Sequence, residues 1–322
     1  MRQRNLGGRS VAALGYGAMS FGGMYGATDE AKSLACLDAM YESGITHVDV
    51  ANIYGMGLCE TILGTWIALR KPQIVLATKA SILNAPPRRV DNSAAHLRAE
   101  LEGSLKRLGV ERVDLFYIHR REHSRPLEEV IDTLRTLEQE GKIGGYGLSE
   151  VSPDTLRQAH AVHPCTAVQN EYSLWTRAPE LGLLQETARL GVAFVAFSPL
   201  ARGMFGNHAL RIDEVQDGFR GRNPRFAEPN FTRNTARIDG FRAFCHARGW
   251  STPATALAWT IGSGDHVIPI PGTRQAARLR EWLPLPALSI ADRAEIEMIL
   301  PVGFAAGARY GDSQMLAVES YC

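Results

Sequence analysis

Residues 113–148 read VDLFYIHRREHSRPLEEVIDTLRTLEQEGKIGGYGL, and two short apolar runs flank a longer amphipathic segment within them. The runs VDLFYI at 113–118 and GGYGL at 144–148 are typical of buried strands. Between them, apolar residues recur at helical spacing before Gly141, which suits a helix end: Leu127, Val130, Ile131, Leu134 and Leu137. This pattern predicts a strand–helix–strand unit of a parallel sheet.

The same alternation extends along the chain in both directions. The other candidate strands are 13–17, 46–50, 74–79, 166–170, 192–197 and 266–270. Most are apolar on both faces, as is usual for parallel strands covered by helices. Eight strands alternating with helices over 322 residues predict an α/β fold, a (β/α)8 TIM barrel, as one domain over 1–322.

A doubly wound sheet is the structural alternative. Such a sheet normally carries G-x-G-x-x-G after its first strand, whereas residues 15–20, GYGAMS, lack the third glycine. The phosphate-binding pattern G-x-x-x-x-G-K-S/T is absent as well. Residues 200–233 fit neither strand nor helix patterns and are interpreted as a long loop over the barrel mouth that gates a site.

Helix boundaries are marked by capping residues. Thr28, with the acidic pair after it, suits a helix start, and Gly44 suits the end of that helix. A leucine stripe over 97–108 is closed by Gly109, and Ser152-Pro153 combines a cap with a proline at the first helical position. Further helices are predicted at 179–190, 234–248, 252–262, 274–282 and 289–299.

Composition excludes several classes of function. Hydrophobic residues make up 45% of the chain, and 35 basic residues balance 34 acidic ones, so no basic field for nucleic acid is expected. No apolar run is long enough to span a membrane or to form a secretory signal. We therefore expect a cytoplasmic protein with no membrane partner.

The cysteines predict neither disulfides nor a metal site. They are odd in number and scattered: Cys36, Cys59, Cys165, Cys245 and Cys322. His160 and His163 lie near Cys165, but a fourth ligand is lacking, so no metal is expected.

Polar groups follow the predicted strands at their carboxyl ends, where barrel enzymes carry their active sites. They are Asp49 and Tyr54, Lys79, His119, Ser149 and Glu150, Gln169 and Asn170, Phe197 and Ser198, and the run from Gly272 to Arg274.

Four of these residues, Asp49, Tyr54, Lys79 and His119, suggest proton transfer. A phenol with a pKa of about 10 is activated when a neighbouring ammonium lowers that pKa. Tyr54 beside Lys79 fits this role, with Asp49 holding the lysine and His119 polarising a carbonyl oxygen.

The motif DVANIYGMGLCETILG at 49–64 resembles the signature of the aldo-keto reductase family. Further runs match in the family's order: ATK at 77–79, DLFYIHR at 114–120, GLSE at 147–150, QNEYSL at 169–174, FSPL at 197–200 and IPGTR at 270–274. The resemblance spans nearly the whole chain. It implies a catalytic tetrad of Asp49, Tyr54, Lys79 and His119, with Tyr54 as general acid, and NADPH bound along the rim.

The resemblance also implies a role for each cofactor residue. Ser149, Glu150 and Gln169 would contact the nicotinamide carboxamide, Phe197 would stack on its ring, and Ser198 and Leu200 would line the pyrophosphate path. Gly272, Thr273, Arg274 and Arg278 would hold the 2′-phosphate, with Gln275 and Glu281 near the adenosine. Thr273 at a helix start, and two arginines four residues apart on one helix face, suit a phosphate.

The chain departs from the family pattern at a few positions. Glu150 stands where many members have Asn, Phe197 where many have Tyr, and Trp282 where many have Asn. Val50 and Cys59 replace a common Thr and a common Ser. Only the Trp282 difference bears on the adenine contact.

The predicted activity is reduction of an aldehyde or ketone to an alcohol. Phe21, Met24, Tyr25 and Trp175, with parts of 200–233 and 301–316, are expected to form an apolar substrate mouth. A regulatory or binding subunit that keeps barrel and cofactor with little turnover is the alternative. A Schiff-base lyase using Lys79 is a third reading. We expect a monomer.

Overall fold

The computed structural model describes residues 1–83 and 88–321, so Cys322 lies outside the described residues. The eight predicted barrel strands are all present, with ends shifted by up to three residues. In chain order, strands 1 to 8 are Tyr16–Gly17, His47–Asp49, Val75–Ala80, Leu115–Ile118, Tyr146–Ser149, Ala167–Glu171, Ala193–Phe197 and Val267–Pro269. They form an α/β barrel, as the sequence predicts.

The strands lie side by side in sequence order, and each adjacent pair is parallel. Strands 1 and 8 meet through two backbone hydrogen bonds, from Gly15 N to the oxygen of Pro269 and from Gly17 N to the oxygen of Pro271, each 2.9 Å long. These bonds close the barrel. The carboxyl ends of all eight strands therefore surround one mouth.

A hairpin that the sequence analysis did not predict covers the opposite end. Strands Gln3–Leu6 and Arg9–Ala12 pair antiparallel. Leu6 and Val11 from this hairpin are buried among side chains of the barrel strands, including Val75 and Leu115. The lower barrel is thus packed with side chains.

Helices cover the outside of the barrel. The longer ones are Glu30–Glu42, Leu58–Arg70, Ala94–Leu108, Leu127–Gln139, Pro153–Val162, Leu183–Leu190, Asn230–Ala247, Thr252–Ile261 and Ile290–Ile299. Leu58–Arg70 was not predicted. The first helix is capped by Asp29, which accepts a hydrogen bond from Lys32 N, and not by Thr28. Ser152 and Gly109 cap their helices as expected.

The segment 200–233 is a connection built of short turns. It contains the short helix Gly218–Gly221 and the 3₁₀ turns Ala201–Gly203, Ile212–Glu214 and Pro224–Phe226. Other short elements are Ala18–Gly22, Ala178–Glu180, Ala276–Arg278, Leu279–Trp282 and Asp312–Met315, and a small hairpin joins Ile82–Leu83 to Arg89–Val90. Among the described residues, no helix is both long enough and apolar enough to cross a bilayer. The four described cysteines are unpaired and buried.

Candidate active site

An ion pair forms the floor of the barrel mouth. Lys79, at the end of strand 3, donates from Nζ to Asp49 Oδ1 of strand 2, and also to the backbone oxygen of Val50 at 2.9 Å. Gln169 donates from Nε2 to the other oxygen of Asp49 at 2.8 Å. Lys79 is 0% exposed. Its nitrogen is therefore held by oxygen atoms beneath the cavity surface, which argues against a Schiff-base role.

Tyr54 and His119 lie directly above this ion pair. Lys79 Nζ is 5.4 Å from the centre of the Tyr54 ring. The Tyr54 and His119 rings meet edge to face, with centroids 5.8 Å apart. The Nδ1 atom of His119 is buried with no hydrogen-bond partner among the described residues. The four residues of the predicted tetrad are thus brought together at one point of the mouth.

Burial dominates the titration of these groups. It raises the pKa of Tyr54 well above the usual 10, and the Asp49 carboxylate raises it further. The lowered phenol pKa expected from the sequence is therefore wrong for this structure, because burial and the Asp49 carboxylate together outweigh the lowering effect of Arg120. Burial also lowers the pKa of Lys79, against the pull of Asp49. Tyr54 consequently keeps its proton at neutral pH and is available as a donor.

His119 is held neutral by its surroundings. Burial, followed by the positive charges of Arg120, Lys79 and Arg88, holds its pKa well below the usual 6.5. A neutral imidazole can donate one hydrogen bond and accept another. Such a group can orient a carbonyl oxygen next to the Tyr54 hydroxyl.

A cavity of about 1110 Å³ opens above these residues. It is lined by Asp49, Tyr54 and His119 and by most of the predicted cofactor and mouth residues: Ser149, Gln169, Phe197, Ser198, Leu200, Gly272, Thr273, Arg274, Gln275, Arg278, Glu281, Met24 and Tyr25. The cavity thus runs from the tetrad across the rim to the segment after strand 8. Parts of 200–233, together with Tyr310 and Gln314, also line it, in agreement with the predicted position over the mouth.

Four predicted site residues do not line the cavity: Lys79, which lies beneath its surface, Phe21, Trp175 and Glu150. Phe21 is buried and packs on Tyr16, and Trp175 is buried against Phe226 and Phe304, so neither lies at the substrate mouth. Their rings belong to the core under the rim.

Glu150 also points away from the cavity. Its carboxylate pairs with Arg309 through one oxygen and accepts from the backbone N of Glu171 at 2.9 Å through the other. The predicted contact of Glu150 with a carboxamide is not supported by this orientation. The carboxylate instead fixes the C-terminal segment against strands 5 and 6.

The segment after strand 8 differs from the single helix predicted at 274–282. A 3₁₀ turn begins at Ala276 and a short helix at Leu279, so Thr273 and Arg274 precede both. Thr273 Oγ1 accepts a hydrogen bond from Gln275 N at 3.1 Å. Arg274 and Arg278 therefore do not share a helix face, although both residues line the cavity.

The cavity fits an extended dinucleotide. Near the tetrad the cavity is lined by the Ser149 hydroxyl and the Gln169 amide. At its far end it is lined by Arg274 and Arg278. The buried Nε and one terminal nitrogen of Arg202 have no partner among the described residues, and Arg202 lines the same cavity. Arg202, which also pairs with Glu171, thus adds a positive charge to the wall of the cavity, and a guanidinium suits a pyrophosphate.

Several lining residues were missed by the sequence analysis. They are Met19, Ser20, Ile53, Ile82, Leu83, Arg88 and Arg120. Arg120 directly follows His119, so the strand-end rule could have found it. The others come from connections whose path the sequence pattern does not give. No cluster of three or more metal-ligating side chains occurs in the described part of the chain.

Comparisons with known proteins agree with the fold. The sequence model of the Aldo/keto reductase family matches residues 13–300. The chain is 37% identical to the probable aldo-keto reductase 1 of Glycine max, over 94% of this chain and 89% of that protein. It is 32% identical to the aldo-keto reductase yakc (NADP(+)) of Schizosaccharomyces pombe, over 95% and 94% of the two chains.

Solved structures show the same barrel. A glycerol dehydrogenase from Gluconobacter oxydans superimposes with a TM-score of 0.82 at 24% identity, covering 96% of this chain and 98% of that one. An aldo/keto reductase from Klebsiella pneumoniae, solved with NADP and acetate, gives a TM-score of 0.76 at 22% identity over 96% and 98%. With the family match over most of the chain, these findings assign the protein: it belongs to the aldo/keto reductase family.

Proposed function

We propose that the protein is an NADPH-dependent reductase that converts an aldehyde or ketone to an alcohol, with Tyr54 as general acid. The observation that carries this proposal is the cavity itself. One continuous space contains a protonated phenol and a neutral imidazole at one end and two arginines at the other. A relative at 32% identity carries NADP(+) in its name, and a barrel of the same fold was solved with NADP.

Each residue of the tetrad has a distinct task in this proposal. Tyr54 donates its proton to the carbonyl oxygen, and His119 holds that oxygen in place. The Lys79 ammonium, kept in position by Asp49, stabilises the phenolate that remains. The reduced nicotinamide, when bound, supplies the hydride. The carbonyl carbon gains the hydride and its oxygen gains the proton, giving an alcohol and NADP+.

The cofactor would be held along the rim. Ser149 and Gln169 would bind the carboxamide, and the Phe197 ring would stack on the nicotinamide. Ser198, Leu200 and Arg202 would face the pyrophosphate, while Gly272, Thr273, Arg274 and Arg278 would face the 2′-phosphate. Gln275 and Glu281 would lie near the adenosine. We propose a monomer that acts on a small carbonyl compound.

Replacement of Tyr54 with Phe tests the mechanism. The variant keeps the ring but loses the proton donor, and general acid catalysis contributes about 100- to 10,000-fold. We expect NADPH consumption with aldehydes to fall by at least about 100-fold, while NADPH still quenches protein fluorescence. Tyr41→Phe, on an outer helix, is the matched control.

Two outcomes would contradict the proposal. Turnover by Tyr54→Phe at the wild-type rate would remove Tyr54 from the mechanism. Wild-type protein that binds NADPH but consumes none with a panel of aldehydes and ketones would favour the regulatory subunit instead.

A further inference from the structure

Two arginines share the part of the cavity next to the tetrad. Arg120 follows His119 at the end of strand 4, and Arg88 directly precedes the second strand of the small hairpin after strand 3. Both line the cavity together with Tyr54 and His119. Their charges reach the reacting end of the site, because Arg120 and Arg88 both lower the pKa of His119, after burial.

Neither guanidinium has a carboxylate partner among the described residues. Arg120 is 6% exposed and donates only to neutral oxygens, the His119 backbone at 2.6 Å and Ser149 Oγ at 3.3 Å. The Nε atoms of Arg88 and Arg120 are both buried and have no hydrogen-bond partner within 1–83 and 88–321. Most other buried or half-buried arginines of the chain do pair with carboxylates, as Arg177, Arg202 and Arg309 do.

Glu150 lies within electrostatic range of Arg120, but it is already engaged. Burial acts to raise the pKa of Glu150, whereas Arg309 and then Arg120 lower it, with a net decrease. Both of its oxygens are occupied, one by Arg309 and the other by the backbone of Glu171. The two cavity arginines therefore remain uncompensated at short range.

Two like charges near each other in a partly dehydrated cavity are costly. Burial lowers the pKa of Arg88, and the neighbouring Arg120 lowers it further. A bound anion would remove this cost, and the planar guanidinium fork matches the oxygens of a carboxylate or a phosphate. These arginines lie at strands 3 and 4, across the barrel from the segment after strand 8 that carries Arg274 and Arg278. They are therefore placed for a substrate and not for the adenosine phosphate.

We propose that Arg88 and Arg120 form an anion subsite, and that the preferred substrates are aldehydes or ketones that carry a carboxylate or a phosphate monoester. The inference rests on the proposed reductase function and specifies its substrate class. The anionic group occupies the space between the two guanidinium groups while the carbonyl oxygen contacts Tyr54 and His119.

The test compares three aldehydes of similar size. They are 4-carboxybenzaldehyde, 4-formylphenyl phosphate and the neutral methyl 4-formylbenzoate, each assayed for kcat/KM by NADPH consumption. We expect the wild type to prefer at least one anionic aldehyde over the ester by roughly tenfold or more, the scale of a charge-assisted hydrogen bond. The better of the two anions identifies the group that the subsite takes.

Arg88→Gln is the deciding variant, with Arg89→Gln as its control. Arg89 is the adjacent, exposed arginine, so the two variants remove the same charge from neighbouring positions. Arg88→Gln should reduce the preference for the anionic aldehyde by about 10- to 100-fold, and Arg89→Gln should retain it. Arg88→Lys, which keeps the charge without the fork, should retain part of the preference and covers the case in which the glutamine variant fails to fold.

The possible outcomes distinguish a failure of the anion subsite from a failure of the proposed reductase function. If no aldehyde is reduced by the wild type, the proposed reductase function fails. If the ester is reduced as well as both anionic aldehydes, the reductase function stands and the anion subsite is overturned. A preference for anions that Arg88→Gln leaves intact, or that Arg89→Gln abolishes equally, also overturns it.

Discussion

Replacing Asp49 with Asn would leave the Lys79 ammonium inside the barrel without its counter-ion. Lys79 is 0% exposed and Asp49 is 2% exposed, so water cannot take the place of the lost carboxylate. Asn has nearly the same shape and can still accept the hydrogen bond that Gln169 donates to Asp49. The change therefore removes charge with little change in volume.

The expected cost follows from the burial of the pair. Removing one member of a buried ion pair destabilises a protein by about 3–5 kcal/mol. That is a large part of a typical unfolding free energy of about 5–15 kcal/mol. Burial already lowers the pKa of Lys79 against the opposing effect of Asp49, so the variant lysine should also lose its proton at a lower pH.

Urea unfolding measures the loss of stability in Asp49→Asn. Two further variants test whether the loss comes from the unpaired Lys79 charge. Asp49→Asn combined with Lys79→Met removes both charges and should recover most of the lost stability. Asp132→Asn breaks an exposed pair with Arg135 and should cost far less. The reasoning is refuted if Asp49→Asn unfolds at the wild-type urea concentration, or if the double variant is no more stable than Asp49→Asn.

Three further predictions concern pH, cofactor choice and the barrel seam. Because the pKa of His119 is held well below 6.5, the unfolded state binds a proton there that the folded state does not, so stability should fall as pH drops below about 6.5. In the variant His119→Gln, the free energy of unfolding, measured with urea between pH 5 and 8, should depend less steeply on pH. Arg278→Ala should weaken NADPH binding by roughly tenfold and NADH binding by less, as measured by fluorescence titration; equal losses would contradict the 2′-phosphate contact. Gly272→Ala would place Cβ 2.2 Å from the backbone oxygen of Gly17, so we expect a lower Tm in calorimetry, and an unchanged Tm would contradict the tight seam.

The barrel strands were predictable because fully buried parallel strands are continuous apolar runs. Strand 3, with the sequence VLATKA, is buried along its whole length and carries Lys79 as its penultimate residue, so the sequence placed Lys79 close to the strand end correctly. The N-terminal hairpin was missed because its strands are short and only partly apolar. Its Gly7-Gly8 turn, with φ of 59° and 80°, is a two-residue hairpin signal that was available in the sequence.

Side-chain direction at the rim was the harder part. Phe21 and Trp175 stand near strand ends, but a linear sequence does not show whether such a ring faces the cavity or the core beneath it. Glu150 was misassigned because its partner, Arg309, lies 159 residues away along the chain. The pKa of Tyr54 was misjudged because burial, which depends on the packed structure, raises it, and Asp49 raises it further.

The N-terminal hairpin also limits the route by which ligands enter and leave the barrel. Leu6 and Val11 fill the amino end of the barrel, so in the described structure the reacting centre communicates with solvent through the mouth above it. Reactants and products then enter and leave through the same mouth. A molecule bound next to Tyr54 can then leave only after any molecule bound above it has left the mouth.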